Sequence, residues 1–188
     1  MKVIGITGGI ACGKSTFTQY IKSKGFQVVD ADEIVAKLFE DADVQNRIMS
    51  TVGTLDRKKI RKIVFQSPVM RQNLEGILHP GVISVIESEI NKHRSNPQAP
   101  LFVSIPLLFE KDLSSMFDMV VAIVCEDDTQ IQRLTKRDQV DELLARHMIH
   151  SQLSNKEKAD KADVVINNDG TLEDFHESIE HFLTRFQK

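Results

Sequence analysis

The chain has 188 residues, 24 basic and 27 acidic, for a formal charge of −3. That length suits one domain with a substantial core. The near-balance of charge points globally to neither nucleic acid nor a membrane surface. No apolar run approaches the ~18 residues of a membrane span.

The first apolar run, Val3–Thr7, reads as a strand and leads directly into Gly8-Gly9-Ile10-Ala11-Cys12-Gly13-Lys14-Ser15. This is the pattern G-x-x-x-x-G-K-S. Its glycines let the backbone curl so that successive N–H groups face phosphate oxygens, its lysine reaches the β- and γ-phosphates, and its serine hydroxyl can ligate Mg²⁺. After it, Phe17, Tyr20 and Ile21 fall at helical spacing, and Gly25 stands where a helix C′ residue belongs. A strand, a glycine-rich loop and a helix in that order give the motif its proper setting. Because the chain enters this unit at once, no leader peptide is expected. With Cys12 in the loop and Cys125 at the end of a later strand, the two cysteines do not form a disulfide framework. Cys12 reads as a small loop filler, and a cytosolic protein is expected.

Gln27–Val29 reads as a second strand, followed by Asp30-Ala31-Asp32. An extended chain would put both carboxylates on one side, at the carboxyl end of a strand, where open α/β sheets bind ligands. Asp30 also fits the N-cap of a helix with the stripe Ala31, Ile34, Val35, Leu38 and Phe39, with Glu33 at the capping-box position. Asp30 is therefore assigned to the cap and Asp32 to chemistry, although spacing alone leaves the two open.

Before the next strand the chain carries further helical stripes. Ile60, Ile63 and Val64 follow an N-cap at Asp56. Leu74, Ile77 and Leu78 end at His79-Pro80, and Val82, Val85, Ile86 and Ile90 form the last stripe. This is too much chain for a simple crossover, so it reads as a helical insertion able to grip a second substrate. His79 before Pro80 reads first as a helix-end residue. In the basic run Arg57-Lys58-Lys59-Ile60-Arg61-Lys62 most charges are solvated, with one or two able to meet phosphate. Residues 96–100, Asn-Pro-Gln-Ala-Pro, return the chain to the sheet.

Leu101–Ile105 is the third strand and has no aspartate at its end, which argues against a motor-type ATPase and favours the Asp30/Asp32 pair for metal or base work. Met119–Cys125 is the fourth. From Arg133 to Lys161 a polar stretch mixes bases and acids; it reads as a mostly solvated helix pair that could serve as a lid bringing an arginine onto phosphate. Val164–Ile166 is the fifth strand. Strands apolar throughout, separated by helices, predict a doubly wound α/β fold with a five-stranded parallel sheet.

Taken in order, Ile6-Thr7-Gly8-Gly9-Ile10 with Gly13-Lys14-Ser15-Thr16, Val29-Asp30-Ala31-Asp32, Leu78-His79-Pro80, Pro106-Leu107-Leu108-Phe109-Glu110, Arg137-Asp138 with Gln152, and residues 163–168 (Asp-Val-Val-Ile-Asn-Asn) resemble the dephospho-CoA kinase family nearly end to end. The resemblance implies a P-loop three-layer fold like that of nucleoside monophosphate kinases. Residues 1–39, 95–132 and 162–188 would form the nucleotide-binding core, 40–94 the helical CoA-binding region and 133–161 the lid. It implies ATP-dependent phosphorylation of the ribose 3′-hydroxyl of dephospho-CoA, the last step of CoA synthesis.

By the same resemblance Asp32, Lys14 and Arg137 are catalytic. Gly9, Ile10, Ala11, Cys12, Gly13, Lys14, Ser15 and Thr16 hold ATP, with Asn167 and Asn168 near its adenine. Asp30, Asp32, His79 and Leu107 meet the acceptor, and Ser15 carries Mg²⁺. The implied partners are ATP and dephospho-CoA, with no nucleic acid and no membrane; a monomer is expected, with an oligomer left open. Two departures stand out. Ser154 replaces an expected proline, which would loosen the lid, and Ala11-Cys12 replaces the more usual small glycine or serine pair in the loop. The rival readings are another small-molecule kinase of the same fold, separated by a substrate panel, and a nucleotide-dependent switch, which would not need an acceptor base.

Overall fold

Central strands of a parallel sheet are covered on both faces and are therefore predominantly apolar; edge strands need not be. The computed structural model, which describes residues 2–97 and 99–186, follows that rule. Its strands are β1 (Val3–Gly8), β2 (Gln27–Asp30), β3 (Leu101–Ser104), β4 (Met119–Val124) and β5 (Val164–Asn167), in the spatial order β2-β3-β1-β4-β5. Every residue of β1 and β3 is buried, whereas β2 and β5, at the edges, are only partly so. β1 runs parallel to β3 with Val3 opposite Leu101, and to β4 with Gly8 opposite Ile123; β5 adds parallel to β4. All five strands fall where the apolar runs placed them. Gln98, in the expected return loop, lies outside the described residues.

The helices are α1 (Lys14–Ser23), α2 (Ala31–Leu38), α3 (Ala42–Val52), α4 (Arg57–Gln66), α5 (Pro68–Ser95), α6 (Asp127–Asp138), α7 (Glu142–His150), α8 (Asn155–Lys161) and α9 (Leu172–Leu183). Alternation along β1 sends Ile4 and Ile6 to one face of the sheet, where they pack with Phe17 and Ile21 of α1 and with Phe175, Ile179 and Phe182 of α9. α8 contacts β1 and β4. α1 closes as its sequence implied: Gly25 N–H donates to Lys22 O and Phe26 N–H to Ile21 O, the paired bonds of a Schellman motif. Among the described residues no helix is long and apolar enough to cross a membrane.

The chain divides into two compact units. One runs to Val29 and resumes at His93; the other is Asp30–Lys92. The second has its own core, in which Ile48, Ile60, Ile77 and Leu78 are buried with Val35, Leu38 and Leu74 packed on them. Asp56 caps α4 as expected, accepting from Lys58 N–H at 2.8 Å and Lys59 N–H at 3.3 Å.

One expectation is overturned here. The helix ending Leu74, Ile77, Leu78 does not stop at His79-Pro80. α5 continues through Pro80 to Ser95. The apolar positions Leu74, Leu78, Val82, Ile86 and Ile90 run at four-residue spacing straight across the proline, so stopping there would divide one buried stripe. Pro80 and Gly76 are both exposed, so the carbonyl that loses its intrahelical donor to the proline is open to water. His79 consequently lies inside a helix rather than at its end, and the helix-end reading of it fails.

Candidate active site

Gly13 is the N-cap of α1 with φ 103°, a conformation that glycine adopts without penalty. A side chain there would also collide with the Asn168 amide, and one at Gly9 with the Asn155 amide. The loop Gly8–Gly13 thus rises from buried β1 into the positive end of α1, ready for an anion. Cys12 N–H closes it onto Gly9 O at 3.1 Å. Ala11 has φ 62°, left-handed without being glycine.

Lys14 begins α1, and its Nζ donates to Ser104 Oγ at 2.8 Å. Ser104 is the fully buried last residue of β3, the strand beside β1. The position where the sequence lacks an aspartate is therefore occupied by a hydroxyl that orients the phosphate-loop lysine. The sequence reading missed it; a lone serine in an otherwise apolar strand was its only signal. Ser15 is exposed in the first turn of α1.

Three further amides meet the loop. Gln130 Nε2 of α6 donates to Ile10 O at 2.8 Å, and Asn168 Nδ2 donates to Cys12 O at 2.9 Å. Asn155 Nδ2 donates to Gln130 Oε1 at 3.0 Å and to Cys125 O at 2.8 Å. Gln130 and Asn155 were not anticipated. Asn167, expected beside adenine with Asn168, is the exposed last residue of β5.

Thiol contact was not anticipated either. Cys125 Sγ lies 2.9 Å from Cys12 Sγ as its donor, and Cys12 lies 3.4 Å from Asn155 Oδ1; both cysteines are free and buried. Because the Cys125 thiol gives its hydrogen to Cys12, the Cys12 pKa is lowered; that of Cys125 is pushed far up by the same bond and by burial.

In the second unit, Asp30 Oδ1 accepts the Asp32 N–H at 2.8 Å, so Asp30 is the cap of α2. The chain turns helical at Ala31, and the alternation expected to put both carboxylates on one side does not continue beyond Asp30. Residues two apart on a helix point in different directions. The two aspartates thus differ in setting: Asp30 Oδ1 caps the helix, and Asp32 is exposed in its first turn.

A family model described as dephospho-CoA kinase (CoaE) matches residues 2–174. The chain belongs to the dephospho-CoA kinase family. A dephospho-CoA kinase of Fusobacterium nucleatum is 39% identical over 188 residues, covering 96% of each chain. A crystal structure from Thermus thermophilus, TT1252, superposes with a TM-score of 0.81 at 26% identity, covering 99% of this chain and 98% of that one. The dephospho-CoA kinase from Campylobacter jejuni superposes with a TM-score of 0.69 at 30% identity, covering 97% and 96%.

The remaining residues singled out in this dephospho-CoA kinase family member have definite places. Arg137, in the last turn of α6, makes a two-toothed ion pair with Asp138, at 2.9 Å to Oδ1 and 3.2 Å to Oδ2, and its side chain is 54% exposed. Leu107 lies in the turn after β3, where its carbonyl accepts Lys111 N–H at 3.1 Å. Arg133 Nη1 donates to Asn168 O at 2.7 Å. Lys158, counted in the sequence among mostly solvated charges, is fully buried against Glu110. Ser154 does not loosen its segment; it caps α8 with a full capping box to Glu157.

Proposed function

We propose that the protein transfers the γ-phosphoryl group of ATP to the ribose 3′-hydroxyl of dephospho-CoA, giving CoA and ADP. The observation that carries this is the strand, glycine loop and helix with Lys14 oriented by Ser104, in a chain of this family. The work is positioning and charge neutralisation. Loop N–H groups from Gly9 to Thr16 and the Lys14 ammonium hold the nucleotide phosphates. Asn167 and Asn168 stand on the adenine side.

Asp32 is the acceptor base: exposed in the first turn of α2, whose cap is Asp30, it orients the 3′-hydroxyl and takes its proton as the bond to phosphorus forms. Asp30, His79 and Leu107 contribute to acceptor binding, with residues 40–94 as the CoA-binding region. Arg137 offsets charge on the transferred group, its planar fork already aligned by Asp138. Residues 133–161 act as the lid, and closure excludes water that would hydrolyse ATP. Mg²⁺ fits an exposed Ser15 hydroxyl at the head of α1, and when bound it neutralises phosphate charge. The reading is of a cytosolic monomer with no nucleic-acid or membrane partner.

The test is ADP production from Mg-ATP with and without dephospho-CoA, with the product identified by mass. Stimulation and a product heavier by one phosphoryl group are expected. ATP-binding protein that shows no stimulation would overturn the acceptor assignment and move the substrate panel to other small alcohols and nucleosides.

A further inference from the structure

A trans peptide holds its C=O and the following N–H in opposite directions, and no described peptide is cis. A residue that fixes a loop carbonyl from outside therefore aims the next N–H the other way. Two such carbonyls are fixed here by buried amides. Ile10 O receives Gln130 Nε2, which turns the Ala11 N–H away from α6. Cys12 O receives Asn168 Nδ2, which turns the Gly13 N–H away from the end of β5. Gln130 is 3% and Asn168 8% exposed, so neither amide has competing water.

The orientation of both amides is itself determined. Asn155 donates to Gln130 Oε1, which leaves Gln130 only its NH₂ for Ile10. Arg133 and Val124 O hold the Asn168 main chain at 2.7 and 2.9 Å. The glycines carry the same imprint. A Cβ on Gly13 would strike Asn168 Nδ2, and one on Gly9 would strike Asn155 Oδ1 and come within 2.9 Å of Gln130 Nε2. These glycines are required partly because amides press on the loop from behind.

We propose that Gln130 and Asn168 are positioning residues that preset the phosphate-loop N–H groups for ATP, with Asn155 orienting Gln130. Asn168 serves this purpose through its side chain, independently of the base. The proposal rests on the reading of Gly8–Ser15 as a phosphate site.

The experiment uses the full chain and the isosteric variants Gln130→Glu and Asn168→Asp, which replace a donor with an oxygen facing a carbonyl, and Gln130→Met, which removes the donor without adding charge. Affinity for inorganic tripolyphosphate is measured by calorimetry, together with KM for both substrates and the ATP-to-GTP ratio of kcat/KM. Tripolyphosphate binding and KM for ATP are expected to weaken by roughly tenfold or more, with KM for dephospho-CoA and the ATP-to-GTP ratio unchanged. Unchanged tripolyphosphate binding in folded variants, or a shifted ATP-to-GTP ratio in Asn168→Asp alone, overturns the proposal. Lowered melting temperature with proportionate loss toward both substrates reduces these residues to a structural role and also overturns it. Failure of the unaltered chain to bind tripolyphosphate overturns the phosphate-site reading itself.

Discussion

Lys158 Nζ lies 2.6 Å from Glu110 Oε1, with the lysine side chain wholly buried and the glutamate 15% exposed. The ammonium also reaches Pro106 O at 3.3 Å, and the same glutamate oxygen accepts Leu153 N–H at 3.0 Å. The pair fastens the turn after β3 to α8. Removing one partner leaves a buried charge uncompensated, so Lys158→Met is expected to cost about 3–5 kcal/mol. The double variant Lys158→Met/Glu110→Leu should recover most of that loss. Urea unfolding of both singles and the double decides it; strictly additive losses would show that the two residues are not coupled.

Lys14 and Ser104 supply a graded comparison. Lys14→Ala removes the charge that meets phosphate and should lower kcat/KM for ATP by about a hundredfold or more. Ser104→Ala leaves the ammonium but removes the hydroxyl that helps orient it, so a several-fold rise in KM for ATP is expected. Steady-state kinetics with varied ATP check both, and unchanged values for Lys14→Ala would remove the phosphate-loop reading.

The two aspartates should separate cleanly. Asp32→Asn is expected to cut turnover by about a hundredfold or more, the lower end for loss of a general base, with ATP affinity preserved. Asp30→Ala should cost about 1 kcal/mol of stability through the lost cap. Single-turnover rates and thermal melts make the assignment, and near-normal turnover in Asp32→Asn would eliminate it as the base.

Ala11 is held in a left-handed conformation that costs an L-residue roughly 1–2 kcal/mol. Ala11→Gly relieves this, partly offset by the greater freedom of the unfolded chain. A rise in melting temperature of about 2–4 °C is expected for a gain near 1 kcal/mol at this size. A fall on calorimetry would contradict the strain.

His93 is buried with no hydrogen-bond partner for its Nε2 among the described residues. Burial lowers its pKa below the ordinary value of 6.5, while Asp118 pulls in the opposite direction. Below the unfolded-state pKa the unfolded chain binds the proton more readily than the folded one, so stability rises with pH in that window. The contribution is complete above about pH 6.5 and is lost as pH falls through the lower folded value. Unfolding free energies from pH 5 to 7.5 should fall more steeply on acidification for the unaltered protein than for His93→Leu. Parallel curves would refute the assignment.

Much of this molecule was written in local pattern. The run Val3–Thr7, the glycines, Lys14 and the α1 stripe specify a strand, loop and helix because each signal is short-range and all agree. The capping half of Asp30 was legible for the same reason: a cap is a bond between residues two apart. The break wrongly expected at Pro80 was also a local signal, overruled because the apolar stripe of α5 continues past it and the lost bond faces water.

Tertiary structure decided what depends on residues distant in sequence. Ser104 meets Lys14, Asn168 meets Cys12 and Gln130 meets Ile10 because parallel pairing of β3, β1, β4 and β5 brings their carboxyl ends together. Cys125 reaches Cys12 in the same way. Lys158 is indistinguishable by composition from its solvated neighbours Lys156 and Lys161, and only packing of α8 against β1 and β4 buries it. Periodicity reports which face of an element is apolar, whereas hydrogen-bond partners are set by the register and order of the strands.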